Sequence, residues 1–187
     1  MNPTAEQIQK INHFSKVPID LCERIASVVK IKNCEPKEKL LSEGDTGDTM
    51  VVVFQGQVEV SKNMMVKTAS GITTSRKPII RLETTDPSPI SDPITESTVS
   101  VVQAPAFGIG EFSLVLDDAI RTANVIATTP VKYGILKLDD FSNIVKENPE
   151  VGGSVYFEVA KSAVKNLAMA SADISNLTQA FFFALTR

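Results

Sequence analysis

The sequence predicts an α+β fold: an antiparallel β core, sandwich or barrel, entered through short N-terminal helices and followed by one long C-terminal helix. Three observations carry this. Residues 30–62 alternate short apolar runs with Gly- and Asp-containing turns, and short strands punctuated every eight to twelve residues or so mark a sandwich or barrel. Residues 4–30 instead space their apolar side chains helically. From Tyr156 to Ala184 apolar residues recur at three- and four-residue intervals, which describes a helix of roughly 30 residues, near 45 Å long.

Taken in order, Thr4 and Gln7 read as a capping box, and Ile8, Ile11 and Phe14 give the first helix its apolar face. Pro18 interrupts it. A second helix over 19–29 turns Leu21, Ile25, Val28 and Val29 to one side. In KIKNCEPKEKLLSEGDTGDTMVVVFQGQVEVSK, the pairs Gly44-Asp45 and Gly47-Asp48, and Gly56, supply positive φ angles for turns. Met50–Phe54, Val58 and Val60 favour strands. KNMMVKTASGITTSRKPIIRLETT reads as an extended hairpin around Ser70-Gly71, and DPSPISDPITES as a loop of a length that is usually mobile or functional. A strand over 98–103 follows. Strands over 121–128 and 131–138 are expected to form a hairpin around Thr129-Pro130, and Asp139 to cap a short helix stopped by Pro149. Gly152-Gly153 reads as a hinge before the long helix. The division expected is a core over 1–150 and a helical appendage over 151–187. Such a helix outruns a core of this size, implying a partner, most simply a second copy; the other reading is an amphipathic helix folded back on the core.

Composition narrows the function. A net charge of −3 and a pI near 5.3 argue against direct nucleic-acid binding. No run of 18 apolar residues occurs, so no membrane partner is expected, and the start lacks a secretory pattern, so a cytoplasmic location is. Cys22 and Cys34 lack a CxxC spacing and only His13 could join them, so they read as thiols rather than metal ligands. Nothing suggests an enzyme. His13 is the single histidine, Ser113 lies in GEFSL rather than a GxSxG elbow, and no GxxxxGK[ST] loop occurs. Glu111, Asp117 and Asp118 do not converge with other carboxylates at Mg²⁺-ligand spacing and read as a solvated turn.

The stretch FGIGEFSLVLDDAIRTANV, residues 107–125, is the candidate site. If Gly108–Gly110 turns the backbone sharply, a short helix begins after Glu111, and the N–H groups near Phe112 and Ser113 favour an anion. Arg121 brings a planar fork of donors suited to phosphate. Glu111 accepts hydrogen bonds and is suited to a hydroxyl. One phosphate and one hydroxyl in a compact pocket describe a nucleotide; a Glu111–Arg121 salt bridge without ligand fits the same residues equally.

With LLSEGDTGDTMVVVFQGQVEVSK, GEFSLVLDDAIRTANV and the opening FSKVPIDLCERIA, the sequence resembles the cyclic nucleotide-binding domain family over about 14–60 and 98–150. The Gly-Glu-x-[Ala/Ser]-Leu … Arg-[Thr/Ser/Ala]-Ala block is that family's phosphate-binding cassette. The resemblance implies a β-roll, a jelly-roll-like barrel, serving as a non-enzymatic sensor of cAMP or cGMP without other cofactor or metal. It implies that Glu111, following Gly110, accepts the ribose 2′-hydroxyl and that Arg121 pairs with the cyclic phosphate. The N–H groups of Phe112 and Ser113 would complete the cradle, Thr122 would reach phosphate or base, and Ala123 would allow close approach. Gly44, Gly47 and Gly56 would be structural turns, and Tyr156 and Phe157 are candidates to stack on the base. Expected partners are the nucleotide and a second copy through the C-terminal helix, or an unidentified effector protein. This chain departs from the family's usual Phe-Gly-Glu by an extra Gly-Ile, carries a longer insertion at 63–97, and has no helix-turn-helix after the long helix. The alternatives are a ligand-independent scaffold signalling through the insertion or long helix, and a regulator separated from a DNA-binding half.

Overall fold

A computed structural model describes residues 1–69, 71–85 and 99–186. The loop expected over 86–97 lies outside them. The N-terminal capping box forms as expected: the Thr4 hydroxyl accepts from the Gln7 N–H, and the Gln7 side chain accepts from the Thr4 N–H. It starts α1 (Ala5–Gln9), which leads through a 3₁₀ turn (Asn12–Phe14) to α2 (Ile19–Val28).

Among the described residues nine strands follow: β1 (Lys30–Cys34), β2 (Lys39–Leu41), β3 (Thr49–Gln55), β4 (Gln57–Thr68), β5 (Gly71–Thr84), β6 (Ser100–Ala104), β7 (Phe107–Ile109), β8 (Asn124–Ala127) and β9 (Val131–Lys137). They build one sheet in the order β1-β9-β3-β7 and a second in the order β2-β8-β4-β5-β6. All pairings are antiparallel except β5 with β6. The result is a β-roll of two sheets, α+β with its flanking helices.

β3 shows why the core takes this shape. Successive strand side chains point to opposite faces, and MVVVF leaves neither face polar. Val51 and Val53 enter the apolar layer between the sheets with Val58, Val125 and Ala127. Met50, Val52 and Phe54 enter a second layer beneath the helices, with Ile8, Phe14, Ile25, Phe141 and Val155. One strand is thus buried on both sides, and the helices are bound to the sheet that carries it.

Several expectations fail locally. Asp139 does not cap the helix it is expected to open: that helix starts at Leu138, with Lys137 at its N-cap and no side-chain hydrogen bond there. The segments flanking Thr129-Pro130 are not a hairpin: β8 pairs with β2 and β4, whereas β9 pairs with β1 and β3, so the turn carries the chain from one sheet to the other. Gly44 and Gly56 adopt positive φ but Gly47 does not. Gly152-Gly153 is no hinge, since α4 runs unbroken from Pro149 to Leu185 after α3 (Leu138–Glu147). Gly152 instead lets α4 approach Val145 of α3, which a Cβ would meet at 2.6 Å.

Candidate functional site

Arg121 is the centre of the site. It precedes β8 by three residues, in a loop rather than the strand expected, because its main chain is tied to the β2–β3 loop. Its N–H donates to the Asp45 carbonyl at 2.8 Å and its carbonyl accepts from Gly44 at 2.9 Å. Its guanidinium is inside the protein, the residue being 7 % exposed. There Nη2 donates to the Thr49 carbonyl at 2.6 Å and hydroxyl at 3.0 Å, and Nη1 to the Gly110 carbonyl at 3.4 Å.

Among the described residues, no carboxylate stands within ion-pair range of Arg121. Burial holds its pKa below the ordinary arginine value, opposed by the fields of Asp48 and Asp45. A buried cation satisfied only by neutral oxygens is costly and is improved by an anion. Two glycines make room for it: a Cβ at Gly47 or at Gly110 would collide with the guanidinium. Gly110 also holds φ at 77°, where the chain turns into the cassette. Gly47 is therefore part of the arginine slot, which sequence reading assigned only to a turn; nothing in GDTGDT marks which glycine faces the arginine.

The cassette begins with a 3₁₀ turn, Glu111–Leu114, rather than an α-helix. Ser113 is fully buried; its hydroxyl and its N–H both donate to the Gly110 carbonyl, at 2.6 and 3.2 Å. Phe112 packs against the helical core. Glu111 makes no salt bridge with Arg121. Its carboxylate accepts instead from the Ser162 hydroxyl of α4, at 3.1 Å. Neither Ser162 nor His13 was singled out at this place by the sequence. His13 is 3 % exposed with no hydrogen-bond partner on either ring nitrogen. Burial keeps its pKa below the ordinary histidine value against the opposing carboxylates of Glu111 and Glu158.

A cavity of about 110 Å³ brings together Gly110, Glu111, Phe112, Ser113, Arg121, Thr122 and Ala123 against an apolar wall that includes Leu41, Val60 and Val125. Every cassette residue singled out in the sequence lines it. Tyr156 and Phe157 do not. Tyr156 meets Phe141 edge-on, 5.9 Å between centroids, and Phe157 lies under the ammonium groups of Lys16 and Lys161. Among the described residues no group of acidic, histidine and cysteine side chains is arranged to hold a metal. Cys22 and Cys34 are free and buried, and burial raises both thiols, Cys22 to about 11.

No protein-family model matches the sequence. Solved structures do match the fold. The N-terminal domain of a transcriptional regulator from Streptomyces coelicolor A3(2) aligns at a TM-score of 0.61 and 22 % identity, over 87 % of this chain and 94 % of that one. A cyclic nucleotide-binding domain from Methylobacillus flagellatus KT aligns at 0.58 and 19 %, over 91 % and 82 %. The fold is that of a cyclic nucleotide-binding domain. The catabolite activator protein of Thermus thermophilus shares this domain fold at 0.63 and 17 %, over 89 % of this chain, which spans 63 % of that protein's length.

Proposed function

We propose that the protein is a non-enzymatic, cytoplasmic sensor of a cyclic nucleotide. The observation that carries this is Arg121: a buried guanidinium without a carboxylate partner, facing a cavity in a fold shared with cyclic nucleotide-binding domains. The cyclic phosphate supplies the missing anion, and Arg121 takes it in place of the Thr49 and Gly110 carbonyls, with Phe112 and Ser113 beside it. Glu111 accepts the ribose 2′-hydroxyl, and Thr122 and Ala123 border phosphate and base. The ligand is cAMP or cGMP, since a hydroxyl at Thr122 suits either.

The binding unit is residues 1–150, and 151–187 reads its state. Ser162 donates to one oxygen of the carboxylate that the ribose needs, so Glu111 couples the ligand to α4. A ligand shifts such an equilibrium only through its differential affinity for the two positions of α4. The cavity of about 110 Å³ is smaller than the roughly 300–1,000 Å³ of small-molecule sites, so a nucleotide requires the pocket to open, and Glu111 is the lining residue that ties it to α4. Stacking by Tyr156 or Phe157 on the base belongs to that opened state. The exposed remainder of α4 pairs with a second copy or with an effector.

The same small cavity, and the satisfaction of Arg121 by carbonyls, favour a second reading: a scaffold that keeps the fold without binding ligand. Thermal melting with cAMP and with cGMP separates the two. At 100 times its dissociation constant a ligand stabilises the fold by about 2.7 kcal/mol. A rise in melting temperature with one nucleotide is expected; no rise with either at millimolar concentration leaves the scaffold.

A further inference from the structure

β4 and β5 outrun their sheet. β8 accompanies β4 only along Val58–Ser61, and β6 accompanies β5 only along Ile80–Thr84. From the pair Lys62–Lys77 to the pair Thr68–Gly71 the two strands have only each other. Seven residue pairs make a ribbon about 20 Å long, and every described residue of it is exposed.

The ribbon's charge is one-sided. It carries Lys62, Lys67, Arg76 and Lys77 and no acidic residue, and removing these four from the chain's net −3 leaves −7 on the rest. Among the described residues, no carboxylate is in ion-pair range of the four; Glu43, at the root, accepts from the Asn63 N–H. Lysines on open strand edges deter unwanted pairing, which accounts for cations but not for the apolar side chains beside them. Residues directly paired across antiparallel strands share a face, so Arg76, Met65, Thr74, Lys67 and Ile72 lie on one side. Met65 is 81 % and Ile72 75 % exposed. This face offers two large apolar side chains beside two cations.

Duplex nucleic acid uses the cations and leaves the apolar pair idle. An anionic lipid surface uses both. We propose that the ribbon docks peripherally on an anionic phospholipid bilayer, with Met65 and Ile72 entering the headgroup region and Lys67 and Arg76 on lipid phosphates. No helix among the described residues is long and apolar enough to cross a membrane, so the contact is superficial. The ribbon's length exceeds the roughly 8 Å Debye length at physiological salt, which screens the acidic body from the same surface. This proposal is independent of nucleotide binding.

The test is co-sedimentation of the whole chain at physiological salt with vesicles of phosphatidylserine in phosphatidylcholine, or of phosphatidylcholine alone. Binding to the anionic vesicles only is expected. Each cation near the surface contributes roughly fivefold, so Lys67→Gln with Arg76→Gln lowers partitioning about 30-fold. Met65→Ser with Ile72→Ser lowers it several-fold at unchanged charge, and both variants retain the wild-type melting temperature because these side chains face solvent. No binding to anionic vesicles overturns the proposal. So does binding that the Met65/Ile72 variant fully retains, or a preference for duplex DNA over vesicles that this variant keeps.

Discussion

The two halves of α4 share their spacing of apolar residues and meet different surroundings. In the first half Val151, Val155 and Val159 are buried under α3 and the N-terminal elements, Tyr156 meets Phe141, and Ser162 reaches Glu111. From Val164 to Thr186 every residue is exposed, Leu167, Ile174, Leu177 and Phe181 among them. In proteins most of a helix's stability comes from packing of its apolar face rather than from propensity. The difference is one of packing: the first half is held by its own chain and touches the site, whereas the second is exposed. Periodicity alone does not distinguish them.

The largest effect belongs to the packed half. Phe141 is fully buried against Phe14 and Tyr156, so Phe141→Ala is expected to cost about 3–5 kcal/mol in urea denaturation; a loss under 1 kcal/mol would mean that α4 is not seated there. Next comes pH. The folded pKa of His13 is depressed, first by burial, so the unfolded chain takes up the proton first as pH falls. Stability from this group is complete above about pH 6.5 and declines below it by at most about 1.4 kcal/mol per pH unit. Comparing urea midpoints near pH 7.5 and 5.5 is expected to show this decline, and His13→Phe to flatten it.

Ser162→Ala removes one hydrogen bond and is expected to lower stability by about 0.5–1.5 kcal/mol. If ligand and α4 compete for Glu111, the same change raises nucleotide affinity several-fold in a calorimetric titration; unchanged affinity would separate α4 from the site. The smallest effect lies in the bare half. Leu177→Ala is expected to move the stability of the single chain by under about 0.5 kcal/mol, while weakening self-association in analytical ultracentrifugation.

Much of this was legible from the sequence because local rules sufficed. The capping box at Thr4, the strand over Met50–Phe54 and the hairpin around Gly71 each rest on spacing or residue chemistry within a few positions. What escaped depends on distant partners. The passage at Thr129-Pro130 reads as a hairpin until β8 and β9 are placed in different sheets. Gly47 reads as a turn until Arg121 arrives from 74 positions along the chain to fill the space a Cβ would take. Ser162 and His13 look like ordinary helix residues, and only the packing of α4 and the first 3₁₀ turn brings them to Glu111.

Calorimetric titration of cAMP and cGMP into the wild type and into Arg121→Ala tests the central claim most directly. Removing the buried guanidinium from a bound phosphate costs roughly 3–5 kcal/mol, on the order of a few hundred- to several thousand-fold in dissociation constant. Saturable binding of one nucleotide by the wild type is expected, with a loss of that size in the variant. Equal affinities in the two proteins would contradict it.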